Sequence, residues 1–341
     1  MTPLRVGAFF APVRDTPDHI RLAEDLGFAS AWCYDSPLLY HDPFATLARA
    51  ADRTSRIGLG VGLVVPGLRA PVATACALST LSALAPGRVR AAVGAGFTGR
   101  FTLGLGPVSL ARLEREVRDL RALVAGEEAD HPEGGRPVRR IPVRGAEGRG
   151  AVPLYVSCRA PRAQALARRL GDGALTGVFY PGGLGVLRAA LGPRMPLVVH
   201  AVAAVADEGE PLDSARLTAA AGPVVAVAFH AFAEQPWRLE GLDGDLRAQA
   251  ERYVAAVGRA LPAERRHQQL HRGHLVLVLL PEDRPLVTPA NVARFAFCGT
   301  AAALRERAAA MAADGVTELA VQPGGDVPRE LRRLAAALEL G

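Results

Sequence analysis

Eight short apolar runs, each followed by a segment with helical spacing, predict an α/β fold: a (β/α)8 barrel, with insertions in its βα loops, spanning 1–341 as one domain. The chain has 341 residues, half of them hydrophobic, which suffices for so large a core. The alternation also resumes after each of two interruptions, so neither reads as a domain linker.

The first run, "LRVGAFF", is a strand, and "TPDHIRLAEDLG" after it is a helix with Thr16 as N-cap, Pro17 at its first position and Gly27 past its end. "FASAWCYD" is the second strand; Asp42 caps and Pro43 opens the helix "DPFATLARAADRTS". "RIGLGVGLVV" is a third, buried strand, followed by the helix "APVATACALSTLSALAPG". "RVRAAVGAG" is the fourth, and Leu110, Leu113, Val117, Leu120 and Leu123 give the next helix, Ser109–Ala125, its apolar stripe. "VPLYVSC" with "APRAQALARRLG", then "GALTGVF" with "PGGLGVLRAALG", supply the fifth and sixth pairs. "MPLVVHAVAAVA" is the seventh strand, and "VTELAVQP" with "VPRELRRLAAALEL" closes the barrel.

Residues 126–150 are polar and rich in Gly and Pro, an insertion loop. Residues 212–297, mostly helical, form a second insertion after the seventh strand, and "GTAAALRERAAAMAADG" then resumes the alternation. In a barrel the C-terminal strand ends form one mouth, and both insertions are expected to border it.

"RAAVGAGFTG" contains G-x-G-x-x-G, the pattern of a dinucleotide-binding turn. That reading requires the glycines to open a helix, and Gly104, Gly106 and Pro107 would break one at once. The stretch is therefore a glycine-rich βα loop at the mouth, where a flat ligand can approach the backbone closely.

All 40 basic residues are Arg. Without Lys, neither a Schiff-base lysine nor a P-loop lysine is available. The net charge of +6 raises nucleic acid as a partner, but the arginines are scattered through Ala- and Leu-rich helices and read as solvated faces. Four separated cysteines without a C-x-x-C pair point away from zinc and disulfides and towards a reduced, cytoplasmic setting. No signal peptide is legible in the N-terminal run, and no apolar run is expected to approach the about 20 residues of a membrane span.

Taken together, "AEDLGFASAWCYD", the stretch from "DPFATLARAADRTS" to "LSALAPGRV", "VPLYVSCRAPRAQALARRLGDGAL" and "FCGTAAALRERAAAMAADGVTELAV" resemble the luciferase-like flavin and deazaflavin oxidoreductase superfamily. "GAGFTGRFTLGLGP" and "VGAFFAP" are most similar to its methylenetetrahydromethanopterin reductase branch. The resemblance implies a TIM barrel using coenzyme F420 or, alternatively, FMN, with the ring at the strand ends. It implies a cofactor-binding bulge with a non-prolyl cis peptide at Gly62-Leu63, followed by Val64. It also places Gly94, Ala95, Gly96, Phe97 and Thr98 along another side of the ring. Ser157, Cys158, Arg159, Ala160 and Pro161 match the loop and helix N-terminus that hold the cofactor phosphate or ribityl chain, and Thr176 and Gly177 complete that wall. Asp35 and Ser36 match the family's catalytic Asp-His.

Three positions depart from the family's pattern: Phe9 and Phe97 stand where relatives carry acids, and Ser36 where many carry histidine. Phe9, Tyr40, His41, Tyr180 and His200 are candidate substrate-lining residues, with His41 also readable as a surface residue and His200 as a barrel-interior one. His267, His271 and His274 have helical spacing but no accompanying ligand motif, so they read as solvated or loop-lining side chains and no metal is expected. Cys33 and Cys158 read as small buried residues. Three functions remain open: an F420-dependent oxidoreductase moving hydride to or from an activated C=C or C=N bond of a small-molecule or modified-peptide substrate, an FMN-dependent monooxygenase, or a non-catalytic homologue. No nucleic acid or membrane partner is expected, and apolar helices after strands two and three suggest a homodimer.

Overall fold

Strand pairing follows the predicted order. The computed structural model describes residues 3–130, 136–139, 152–177, 183–242, 244–273 and 279–341. Eight parallel strands, β1 (Arg5–Phe10), β2 (Ser30–Cys33), β3 (Gly58–Val64), β4 (Val89–Val93), β5 (Leu154–Ser157), β6 (Gly173–Gly177), β7 (Leu197–Val205) and β8 (Glu318–Pro323), pair in sequence. β8 pairs with both β7 and β1, which closes the (β/α)8 barrel.

The outer helices are α1 (Thr16–Asp25), α2 (Pro43–Ala51), α3 (Pro71–Leu84), α4 (Leu110–Ala125), α5 (Pro161–Leu170), α6 (Leu184–Leu191), α7 (Ala301–Ala313) and α8 (Val327–Ala337). Asp42 caps α2 by accepting from the Ala45 N–H at 2.9 Å, and Ser109 caps α4 through the Arg112 N–H at 3.3 Å. Gly27, at φ +86°, follows α1 as expected. Thr16 does not cap α1. It lies inside the first turn, its hydroxyl donating to the Ala11 carbonyl and accepting from the Val13 N–H. The main core lies between the outer faces of the strands and these helices, with Ile20, Leu47, Leu78, Leu120 and Leu331 at its centre.

Of the first insertion, Glu128–Ala129 and Val138–Arg139 form a small antiparallel ribbon. It connects α4 to β5, an αβ connection on the side of the N-terminal strand ends, and not a βα loop bordering the mouth as the sequence suggested. The second insertion has its own apolar core around helix Ala215–Glu234, with Leu217, Val225 and Phe229 against Val292 and Phe295. That helix is 20 residues long and apolar enough to cross a membrane by length and composition, contrary to the reading of the sequence. Two thirds of its most apolar window is buried in this core, the placement of a core helix. Phe297 does not end a helix but opens a short strand, Phe297–Gly299. Ala203 of β7 pairs with Phe297 and with Pro323, so the short strand extends β7 on the side away from β8.

Inside the barrel, alternation sorts the side chains into tiers. At the N-terminal end Glu318 accepts hydrogen bonds from the Ser30 hydroxyl at 2.5 Å, Trp32 Nε1 at 2.8 Å and the Arg90 guanidinium at 2.9 Å. Above lies an apolar tier of Phe9, Trp32, Ala92, Tyr155, Leu175, Val198 and Ala320. Gly60 makes room for it, since a Cβ there would stand 2.3 Å from the Trp32 ring. The polar tier and the aromatic tier together give the mouth a packed floor.

Candidate active site

Two residues further along each strand, the inward positions are Tyr34, Gly62, Gly94, Ser157, Gly177, His200 and Gln322. Three of these are glycines: Phe9 and Leu63 close over the Cβ positions of Gly62 and Gly94, whereas Gly177 leaves space. Gly177 is exposed, and a Cβ added there would meet one atom, at 4.0 Å. A Cβ on Gly94 would press on Leu63 at 2.5 Å and Ser157 at 3.0 Å, so the β3, β4 and β5 ends converge there. The Gly62-Leu63 peptide is cis, and the β3–β4 register shifts between Gly62 and Val64, as the resemblance implied. Leu63 packs against the aromatic tier, and Val64 is buried in the outer core.

Phe9 is buried and packs between Tyr34, at 5.8 Å, and His200, at 4.4 Å between ring centroids. It lies under Gly62, 3.0 Å from where a Cβ would be, and so belongs to the floor. His200 Nε2 lies 2.9 Å from Gln322 Oε1, and the Gln322 amide nitrogen donates to the Tyr34 hydroxyl at 3.3 Å. This orientation puts the His200 proton on Nε2 and leaves Nδ1 as an acceptor. His200 keeps an edge open to the mouth, yet desolvation lowers its pKa to about 4, against the opposing hydrogen bond to Gln322. The imidazole is neutral at ordinary pH. Tyr40 packs edge-on to Tyr34 at 5.2 Å, whereas His41 is exposed in the β2 loop. Tyr180 and His274 lie outside the described residues.

Asp35 and Ser36 are buried at the end of β2. Arg69 donates to Asp35 Oδ2 at 3.1 Å and also pairs with Asp42, bracing the β2 loop against the β3 loop. Burial raises the Asp35 pKa, with Arg69 acting the other way. Asp42 therefore caps α2 and anchors Arg69 at once, a long-range role with no local signal.

The β4 loop turns at Gly96, whose φ of +84° and crowding against Val65 and Arg100 both favour glycine. Ala95 is half-buried and Thr98 buried; Thr98–Phe101 forms one helical turn inside the glycine-rich loop. Arg100 fastens the loop by donating to the Gly106 carbonyl at 2.6 Å and the Pro66 carbonyl at 3.3 Å. Phe97 is half-exposed, edge-on to Phe101 at 5.0 Å and to His271 at 6.2 Å. His271 is 1% exposed, so the expected solvated or loop-lining histidine proves to be a buried one lining this loop. His267 approaches the same loop, 3.2 Å from where a Gly104 Cβ would stand. The second insertion thus borders the mouth, as expected.

On the opposite wall, Thr176 and Cys158 are buried, and the Cys158 N–H donates to the Leu175 carbonyl. Burial pushes the Cys158 thiol up to about 12 and the Cys33 thiol higher still, so both are inert packing groups. Arg159 and Ala160 are exposed at the start of α5, where Pro161 opens the helix and no side chain caps its N-terminus.

A closed parallel barrel with a glycine-bearing tier at its C-terminal strand ends is the architecture of the luciferase-like oxidoreductases. The profile of luciferase-like monooxygenases matches residues 3–318, and the chain belongs to that family. It is similar to an F420-dependent glucose-6-phosphate dehydrogenase from Beutenbergia cavernae, 37% identical over 177 residues, 48% of this chain and 52% of that protein. It is also similar to a 5,10-methylenetetrahydromethanopterin reductase from Archaeoglobus fulgidus, 28% identical over 165 residues, 48% of this chain and 49% of that one. The chain spans about half the length of these curated relatives. The coenzyme F420-dependent tetrahydromethanopterin reductase from Methanopyrus kandleri shares the fold, with a TM-score of 0.77 and 19% identity over 99% of both chains. A monooxygenase from Streptomyces bottropensis shares it at a TM-score of 0.60 and 20% identity, over 98% of this chain and 99% of that one.

Proposed function

We propose that this chain is a coenzyme F420-dependent oxidoreductase of the luciferase-like family, acting on an activated C=C or C=N bond of a small-molecule or modified-peptide substrate. The observation that carries the reading is the glycine tier, Gly62, Gly94 and Gly177, above an aromatic floor with neutral His200. A flat ring is proposed to lie beside the open Cβ position of Gly177, where the Gly94 backbone is drawn close to Leu63 and Ser157 and Gly62 sits on Phe9. Its F420-dependent relatives favour the deazaflavin over FMN. When bound, the deazaflavin supplies hydride transfer.

The chain's own residues supply position and exclusion of water. Gly62 and Leu63, with the backbone leading to Val64, form one side of the ring site, and Gly94–Thr98 another, with Phe97 facing the substrate. Thr176, Gly177 and Ser157–Pro161 form the third. Phe9 and Tyr34 keep the floor dry, which favours transfer to substrate over loss to solvent. Asp35, fixed by Arg69, hydrogen-bonds the ring or the substrate, and Ser36 lies beside it. Neutral His200 offers Nδ1 as an acceptor at the mouth.

Titration of the apo-protein with F420 and FMN tests the cofactor. Tight F420 binding is expected; tight FMN binding with oxygen consumption and no F420 binding would overturn it. The exposed Arg159 and the N-terminus of α5, which no side chain caps, are proposed to hold the cofactor phosphate. A charged hydrogen bond contributes about 1.5–3 kcal/mol, so Arg159→Ala is expected to weaken cofactor binding about tenfold or more, read by equilibrium titration at moderate salt. Unchanged affinity would remove Arg159 from the site.

A homodimer is proposed through α3. Its outer face, Val72, Ala73, Cys76, Thr80 and Leu84, is exposed and carries no charge, whereas α2 is largely buried. Sedimentation at micromolar concentration is expected to show a dimer, with Cys76 reacting slowly with a thiol reagent. A monomer with a fast-reacting Cys76 would refute this interface.

A further inference from the structure

The second insertion places a guanidinium over the mouth that neither the family's motifs nor the proposed cofactor contacts use. Arg238 lies in the 3-10 turn Pro236–Gly241, directly after the helix that carries the insertion's core. Its guanidinium stands 5.9 Å from the centroid of the Phe97 ring and donates to the side chain of the buried Gln235. Among the described residues no carboxylate lies within ion-pair distance of it. Instead it feels the charge of Arg159, from the β5 loop next to the β4 loop that carries Phe97. Desolvation, and then Arg159, bring its pKa down to about 10, so it remains charged at neutral pH.

Two like charges held over one opening, one of them desolvated and without a counterion among the described residues, repel each other. The arrangement is relieved when an anion lies between them. The uncapped N-terminus of α5 adds N–H donors beside Arg159, and the Phe97 face fixes the plane of the Arg238 fork. We propose that Arg238 and Arg159 together bind an anionic group, a phosphate or carboxylate, over the Phe97 side of the mouth, making the insertion part of the ligand site. The anion belongs to the substrate or to the chain of the cofactor; the proposal rests on the cofactor reading only for that choice. A bidentate guanidinium on each side suits a tetrahedral or planar oxyanion.

Inorganic phosphate on the full-length apo-protein tests the site without any cofactor. Phosphate is expected to raise the unfolding midpoint saturably beyond chloride at matched ionic strength. Arg238→Gln is expected to raise the phosphate concentration needed about tenfold, and Arg238→Lys, which keeps the charge but not the fork, to restore only part of the loss. Each variant's midpoint without phosphate reports its folding separately. No effect of phosphate beyond chloride, or the same saturation in Arg238→Gln, would overturn the proposal. Two further arms locate the source. If Arg238→Gln weakens F420 but not its ribityl-deazaflavin fragment lacking the phosphate, the anion is the cofactor's. If F420 affinity is unchanged and phosphate still stabilises the F420-saturated protein, it is the substrate's. Arg238-dependent phosphate binding in a protein that binds neither F420 nor FMN would leave the anion site standing and remove the cofactor reading.

Discussion

Glu318→Ala is expected to destabilise the protein by about 3–5 kcal/mol, the cost of leaving a buried charge without its partner. Glu318 and Arg90 are 2% and 9% exposed, so water cannot replace the lost carboxylate. The same change strands the Ser30 hydroxyl and the Trp32 indole N–H, both of which donate to Glu318. Arg90 also lies over the Trp32 ring at 5.1 Å, so the floor of the barrel loosens as a unit. Since domains are stable by only about 5–15 kcal/mol, the variant is expected to lose a large share of its stability, measurable by denaturant unfolding. Glu318→Gln keeps the shape and an acceptor, and should cost less. The double change Glu318→Leu with Arg90→Met removes both charges and should recover much of the loss. A loss below about 1 kcal/mol in Glu318→Ala would mean that the ion pair is not what holds the floor.

Glu318 also shows where legibility of the sequence ends. The strand "VTELAVQP" was plain from its apolar period, and each barrel strand and outer helix was placed by period, cap or helix-opening proline. Those are local signals. The Glu318 carboxylate is joined to Ser30 and Arg90 across 288 and 228 residues, and such pairing leaves no trace in spacing. Arg69 with Asp35 and Asp42, Gln322 with His200, and Arg238 over Phe97 are hidden in the same way. Only barrel closure brings these strand ends together. The glycines were legible as close-approach points, but the cis peptide and the cofactor contacts came from family resemblance, because periodicity does not report peptide geometry or ligands. Thr16 misled for a physical reason. A threonine before a proline suits both an N-cap and the first helical turn, and the Ala11 carbonyl decided between them.

His200 should make stability fall with acid. The unfolded chain takes up the imidazole proton below about pH 6.5, whereas the folded chain does so only below about pH 4. Between these values the unfolded state holds more protons, so stability rises with pH. The contribution is present in full above about pH 6.5 and is lost as pH falls through the window to about 4. At about 1.4 kcal/mol for each pH unit the gap amounts to about 3 kcal/mol, an upper figure because His200 keeps one edge in solvent. Glu116 in α4 acts with the opposite sign: burial pushes its pKa up to about 7, so the folded state holds more protons from its ordinary value up to there. The whole-protein curve mixes the two, and a difference against His200→Asn separates them. Asn can still donate to Gln322 but does not titrate. It is expected to be less stable than wild type at pH 7, where the packing of His200 against Phe9 is lost, and to close that gap as pH is lowered to 4. Denaturant unfolding at intervals between pH 4 and 7.5 reads the difference directly. Parallel curves would show that His200 titrates alike folded and unfolded. The mouth would then carry a cation through the acid range, contrary to the neutral acceptor proposed here.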